Sequence, residues 1–157
     1  MTEDQRDAAA VSAFVERFSS VLVDGGFQRM AARVFVTLLA SEEAALTAAE
    51  LAERLRVSPA AISGAVRYLL QLELISRDRE PGSRRDIFRV DEDVWANVVE
   101  RQIGRVVKWR VQLEAGVVAV GPGTAAADRL ADMIEFFEFI DDEMPNLMRR
   151  WRERRSN

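Results

Sequence analysis

TAAELAERLRVSPAAISGAVRYLLQ, residues 47–71, contains two helix starts separated by a short turn. Thr47 and Glu50 have the spacing of a capping box, in which the hydroxyl accepts from the backbone at Glu50 and the carboxylate accepts from the backbone at Thr47. Ser58 and Pro59 form the second start, since serine caps helices and proline fits the first helical position. The stretch therefore predicts two short helices joined by a tight turn, the second ending near Glu73.

A hairpin is expected directly after this helix pair. Leu74–Arg79 and Asp86–Val90 are strand candidates, and Pro81-Gly82 between them is a strong turn signal. The loop that joins the strands carries Arg84 and Arg85, so the hairpin has a basic tip. Two short helices followed by such a hairpin are the arrangement of a winged helix-turn-helix.

The second helix has a small, polar outer face opposite its apolar positions. At about 100° per residue this face is formed by Ala60, Gly64, Arg67 and Gln71, with Ser63 and Tyr68 beside them. A backbone with such small side chains can approach base edges closely. Arg67 could contact a guanine edge or a phosphate. The helix N-terminus at Ser58–Ala61 also favours phosphate.

Charge is distributed unevenly along the chain. The chain has 22 Lys+Arg against 26 Asp+Glu, a net charge of −4, yet Arg54–Val90 holds eight arginines and four acidic residues. A locally basic segment of this kind favours DNA as the partner. The alternative is a winged-helix module for protein–protein interaction without specific DNA binding. That version would show large apolar or acidic residues on the outer face of residues 59–72, where Tyr68 is the only large group.

The absence of histidine and cysteine excludes several classes of chemistry. It excludes Ser-His-Asp and Cys-His nucleophilic sites, Cys/His zinc sites and disulfides, and we expect neither an enzyme nor a cofactor. Four acidic residues could form a hard-cation site, but we expect a solvated face and no metal: Glu135, Glu138, Asp142 and Glu143. The acidic N-terminus is unlike a signal peptide, and no apolar run approaches the roughly 20 residues of a membrane helix, so we expect a cytoplasmic protein.

Long helices flank the central lobe. Helices are predicted over residues 7–24, 27–40 and 124–155, and a further long helix is capped by Asp91 or Asp93 and runs to about Val120. Breaks are expected at Gly25-Gly26 and Gly121-Pro122-Gly123, and a kink or break at Pro145. The last helix has a heptad-like apolar seam, and at about 1.5 Å per residue it is too long for one small domain to cover. A homodimer is the preferred explanation, and a monomeric helical core is the alternative. The expected dimerisation residues are Val11, Phe14, Phe18, Leu130, Phe137, Ile140, Met144, Leu147 and Trp151.

The predicted fold class is mainly α, formally α+β. It is a winged helix-turn-helix with long N- and C-terminal dimerisation helices. The expected parts are N-terminal helices over 1–40, a DNA-binding lobe over 41–92 and C-terminal helices over 93–157.

Five motifs in order resemble the MarR family of transcriptional regulators, in particular its GbsR-like branch. They lie at residues 27–40, 46–55, 57–69, 74–77 and 81–86. The resemblance implies a homodimer that binds a pseudo-palindromic operator of double-stranded DNA, most simply as the repressor of a nearby operon. It places the second helix in the major groove and the wing in the minor groove. The implied recognition residues are Ser58, Ala60, Ala61, Ser63, Gly64, Arg67 and Tyr68, and the wing residues are Arg84 and Arg85. Many family members have an Asp before the wing arginines, whereas Asp86 follows them here.

Aromatic residues on the C-terminal helices make a binding site for a small-molecule effector possible. A small-molecule pocket could be lined by Trp95, Trp109, Phe136, Phe137 and Phe139. An aromatic cage would suit a quaternary ammonium ligand. Aromatic residues at helical spacing are also typical of a core, and the sequence does not identify the effector.

Overall fold

The chain begins with two helices, α1 (Ala8–Asp24) and α2 (Arg29–Ala40), in a computed structural model that describes residues 8–79 and 85–155. β1 (Ala45–Thr47), α3 (Ala48–Leu55) and α4 (Pro59–Gln71) follow, then β2 (Ser76–Arg79) and β3 (Asp86–Arg89). Two long helices complete the chain, α5 (Val94–Val120) and α6 (Ala125–Arg155). The chain divides after Val94 into two units.

Helix α2 is the centre of the first unit. It packs against both α1 and α4, and Val34, Phe35 and Leu38 on it are completely buried. Leu51 from α3 and Ile62 and Leu69 from α4 complete this core. The apolar periodicity of each helix therefore leads to one shared core, which fixes α4 with its polar face outward.

Gly26 makes the turn between α1 and α2 possible. Its φ of 97° is a left-handed conformation that favours glycine. The Phe27 amide donates to the Leu22 carbonyl at 3.0 Å and the Gly26 amide to the Val23 carbonyl at 2.9 Å, the hydrogen bonds of a Schellman motif. The predicted stop at Gly25-Gly26 is confirmed.

The sheet has three strands in the order β1-β3-β2, so the predicted two-stranded hairpin was one strand short. The additional strand β1 is antiparallel to β3 and pairs Leu46 with Phe88, both of which are buried. Its three residues are too few to show an alternating pattern in the sequence. The predicted turn at Pro81-Gly82 lies outside the described residues.

The second unit contains α5 and α6. Gly121 and Gly123 both have positive φ at the break between them, and the Thr124 hydroxyl accepts a hydrogen bond from the Ala127 amide at 3.1 Å. A Cβ on Gly116 of α5 would lie 3.2 Å from Leu130 of α6, so the two helices approach closely there. Helix α6 continues through Pro145, so of the predicted kink or break the break does not occur. None of the described helices has the length and apolarity needed to cross a bilayer.

Candidate nucleic-acid interface

The predicted capping box starts α3. The Thr47 amide donates to the Glu50 Oε2 at 2.7 Å, and the Glu50 amide donates to the Thr47 Oγ1 at 3.3 Å. These hydrogen bonds hold the pKa of the Glu50 carboxyl below its ordinary value, the backbone bond from Thr47 most strongly, and the charges of Arg54 and then Arg85 act more weakly in the same direction. The start of α3 is therefore fixed by its own side chains.

A turn in which Arg56 has left-handed backbone geometry joins α3 to α4. Its φ is 54°, and the Val57 amide donates to the Ala52 carbonyl at 3.0 Å. Ser58 then caps α4, because its Oγ accepts from the Ala61 amide at 3.3 Å. These bonds close α3 and open α4 within three residues, as the sequence predicts for a helix-turn-helix.

Helix α4 presents the predicted recognition residues on its outer surface. Its inner face is formed by Ile62, Ala65, Val66 and Leu69, all of them buried. Its exposed positions include Ser58, Ala60, Ser63, Gly64, Arg67 and Gln71, while Ala61 and Tyr68 are half-buried. Within residues 59–72, Leu72 at the C-cap of α4 is the exposed large apolar side chain, and none of the residues is acidic. The protein-interaction alternative would place large apolar or acidic side chains across this face.

Gly64 has no packing role in the described structure. A Cβ built on it would meet no atom within 4 Å. Glycine inside a helix costs about 1 kcal/mol relative to alanine, so this position carries a cost that internal packing does not explain. Its location on the outer face is consistent with close approach of a partner to the helix backbone.

An open cavity of about 680 Å³ lies between α4 and the hairpin. Its apolar floor includes Ile62, Val66 and Phe88. Three arginines line it: Arg67 from α4, Arg77 from β2 and Arg85 from the residue before β3. With three arginines against Asp86 in its lining, this basic groove has the charge to attract an anionic backbone.

Sequence reasoning missed Arg77 as a groove residue. Its Nη1 lies 3.6 Å from the Asp86 Oδ2 on the neighbouring strand, and Asp78 pairs with Arg89 in the same diagonal manner at 3.4 Å. The signal was present in the alternation of Arg77, Asp78 and Arg79 along β2, because alternate residues face opposite sides of a hairpin. Arg85 is exposed at the start of β3, and the wing residue Arg84 lies outside the described residues.

The predicted dimerisation residues divide between covered and exposed positions within the described chain. Phe14 is 43% exposed, and its ring stacks on that of the half-buried Phe18 with 5.7 Å between the ring centroids. Val11 is also half-buried. In α6, four predicted residues are half-buried, namely Leu130, Phe137, Ile140 and Met144. Phe137 makes an edge contact with Trp109 of α5, while Leu147 and Trp151 are exposed. Part of the α6 seam is therefore used inside the chain, and the dimer remains a prediction.

The two other candidate sites are the acidic residues considered for a metal ion and the aromatic residues considered for an effector. Glu138 pairs with Arg110 at 3.5 Å, and within residues 8–79 and 85–155 no group of three acidic side chains is placed to hold a metal ion. Of the aromatic residues considered for an effector, Trp109, Phe136 and Phe139 are each more than half exposed. Side chains as exposed as these do not line an enclosed cage.

The helix pair, the three-stranded wing and the basic groove define a winged helix-turn-helix DNA-binding protein. A MarR family model matches residues 25–86, and a model of MmpR5-like MarR family transcriptional regulators matches residues 93–154. The chain belongs to the MarR family of transcriptional regulators.

Similar proteins agree with this assignment. The HTH-type transcriptional regulator MmpR5 of Mycobacterium tuberculosis is 25% identical over 142 residues, which cover 90% of this chain and 86% of the relative. A crystal structure of a transcriptional regulator, 23% identical, superposes with a TM-score of 0.78 over 92% of this chain and 99% of its own. This structural likeness confirms the mainly helical winged-helix fold.

Proposed function

We propose that the chain is a homodimeric, sequence-specific repressor of a nearby operon, and that a small-molecule effector releases it from DNA. The observation that carries the proposal is the outer face of α4, which is exposed and small and has arginine and amide side chains. Such a face can enter the major groove without steric conflict and read base edges there.

Base reading is assigned to three side chains of this face. Ser63 and Gln71 can donate or accept hydrogen bonds, and Arg67 can form a bidentate contact with guanine. Ser58, Ala60, Ala61, Gly64 and Tyr68 complete the predicted contact surface. Two copies of α4 reach successive major grooves when they lie about 34 Å apart, which is the reason for the homodimer and a pseudo-palindromic operator.

The basic groove is assigned to the phosphate backbone. Arg77 lines it from β2, and Arg85 stands directly before β3. With Arg84, Arg85 is also the predicted contact of the wing with the minor groove. Contacts of this kind fix the position of the protein on DNA but do not read sequence.

Membership of the GbsR-like branch and control by an effector are also part of the proposal. The branch rests on the motifs of residues 27–86, and the exposed aromatic residues Trp109 and Phe136 supply surfaces that attract a quaternary ammonium ion. A ligand that prefers a different spacing of the two recognition helices would shift the dimer away from DNA.

The test is fluorescence anisotropy with a duplex from upstream of the gene and a random duplex of equal length, titrated with salt. We expect tighter binding to the upstream duplex and a log–log salt slope of several units, at about 0.9 per neutralised phosphate. Equal affinity for both duplexes at every salt concentration would leave the protein-interaction alternative. Choline added to the bound complex tests the effector, since release supports the GbsR-like assignment and unchanged affinity opposes it.

A further inference from the structure

Helices α3 and α4 end in the same way, each followed by a residue with left-handed backbone geometry. Arg56 lies directly after α3 with a φ of 54°, and Glu73 lies just beyond α4 with a φ of 53°. In both places the amide of the next residue donates to a carbonyl five residues before it, at 3.0 Å. This is the hydrogen bond of a Schellman motif, in which glycine is the usual left-handed residue.

An arginine at the end of α3 carries a conformational cost that its surroundings do not offset. A Cβ in the left-handed conformation crowds the following carbonyl oxygen, and glycine avoids this cost. The Arg56 side chain is exposed, and its guanidinium forms neither a hydrogen bond nor an ion pair within residues 8–79 and 85–155. Contacts inside the described chain therefore do not explain why arginine occupies this position.

The turn that contains Arg56 lies immediately before α4. Arg56 is two residues before Ser58, which caps α4 and is one of the predicted DNA contacts. The arginines that line the basic groove are Arg67, Arg77 and Arg85, so Arg56 is an additional positive charge of the DNA-binding lobe. An exposed guanidinium beside the start of α4 is suited to an anionic group of the same partner.

We propose that Arg56 binds a phosphate of the DNA backbone beside the start of α4. The inference rests on the DNA binding of the proposed function and adds one phosphate to those assigned to the basic groove. Guanidinium N–H groups form charge-assisted hydrogen bonds with phosphate oxygens, often two at once. Such a contact fixes the position of α4 on the duplex and reads no base.

The geometry of the turn favours this role. The amides of Arg56 and Val57 both donate to carbonyls of α3, so the backbone at Arg56 is held before DNA arrives. Only the side chain then has to be ordered when the phosphate binds, which keeps the entropic cost of the contact small.

The test removes the side chain and keeps the backbone geometry. Glycine and asparagine both accept a positive φ, so Arg56→Gly and Arg56→Asn should leave the turn intact. Arg56→Gly should have a urea midpoint at least as high as that of the unmodified protein. In anisotropy titrations both variants should bind the upstream and random duplexes about five- to tenfold more weakly at 0.1 M salt. The salt slope should fall by about 0.9, the value for one neutralised phosphate.

Two further variants separate the charge from the backbone. Arg56→Lys keeps the positive charge and should retain the full salt slope and most of the affinity. Glu73→Gly is the matched control, because it makes the same backbone change at the end of α4, and it should weaken binding to neither duplex. A loss in Glu73→Gly as large as that in Arg56→Gly would assign the effect to the helix ends and overturn the phosphate contact.

Failure of this inference is distinguishable from failure of the proposed function. If the unmodified protein prefers the upstream duplex and Arg56→Gly keeps its affinity and slope, the phosphate contact is wrong and the repressor stands. A loss confined to the upstream duplex would mean that Arg56 reads a base, which also overturns the inference. If both duplexes bind equally and Arg56→Gly weakens both, the phosphate contact stands and sequence-specific repression fails. If the unmodified protein binds neither duplex, both proposals fail.

Discussion

Asp86 holds Arg77 across the hairpin, with 3.6 Å between the Oδ2 and Nη1 atoms. The acidic residue that follows the wing arginines in sequence thus orients an arginine of the neighbouring strand. Both side chains are substantially exposed and both line the basic groove. The pair contributes little to folding stability, and we expect its main effect to be on the position of Arg77 in the groove.

Arg77→Ala should weaken binding to the upstream and random duplexes by the same factor, because a phosphate contact carries no sequence information. The salt slope should fall by about one unit. Arg129→Ala, an exposed arginine on α6, is the control and should leave both affinities unchanged. A loss confined to the upstream duplex would mean that Arg77 reads a base.

Arg67→Ala should have the opposite signature. If the guanidinium contacts a base edge, binding to the upstream duplex should weaken by about 1–3 kcal/mol while binding to the random duplex changes much less. Anisotropy titrations at one salt concentration measure the difference. Equal losses on the two duplexes would reduce Arg67 to a phosphate contact.

Gly64→Ala should stabilise the protein and impair DNA binding. The added methyl group meets no atom of the described chain, so the free energy of unfolding should rise by about 0.5–1 kcal/mol. On the outer face of α4 the same methyl would obstruct close approach to the bases. Gly104→Ala, at an equally open helical position of α5, should give the stability gain without the loss of affinity. Urea unfolding and anisotropy together test both, and unchanged DNA affinity in Gly64→Ala would contradict close approach.

Glu50→Gln should make unfolding less sensitive to acid. Hydrogen bonds from Thr47 lower the pKa of Glu50, so its ionised form stabilises the fold above the unfolded-state pKa of about 4.5. That stabilisation is lost as the pH falls below this value through the lower folded-state pKa. The variant should be less stable at pH 7, with the difference shrinking in acid. Thermal unfolding at several pH values measures it, and a constant difference would show that ionisation of Glu50 is unimportant.

Local signals in the sequence predicted much of the DNA-binding lobe. The caps at Thr47 and Ser58 depend on side-chain chemistry only three residues away, and the structure has both. Strand β1 was missed because its pairing with β3 joins Leu46 to Phe88, which are far apart in sequence. No local pattern reports such a contact.

Two features could not be predicted from the sequence: the place of Arg77 in the basic groove and the division of α6 residues between packed and exposed positions. Arg77 belongs to the groove because Asp86 lies diagonally across the hairpin, a relationship that depends on strand register. The apolar spacing of α6 was visible, but spacing alone could not assign Phe137 to a contact with Trp109 while leaving Phe139 exposed. Both distinctions require the positions of neighbouring elements.

Thr47 is at once the last residue of β1 and the cap of α3. Because β1 is also paired with β3, the wing strand is linked directly to α3, and the hydrogen-bonded turn at residues 56–58 links α3 to α4. The lobe would therefore move on DNA as a single rigid body, with little internal freedom left to lose on binding. A protein built in this way tolerates a poorly shaped operator badly, because neither the wing nor the helix can adjust to it alone.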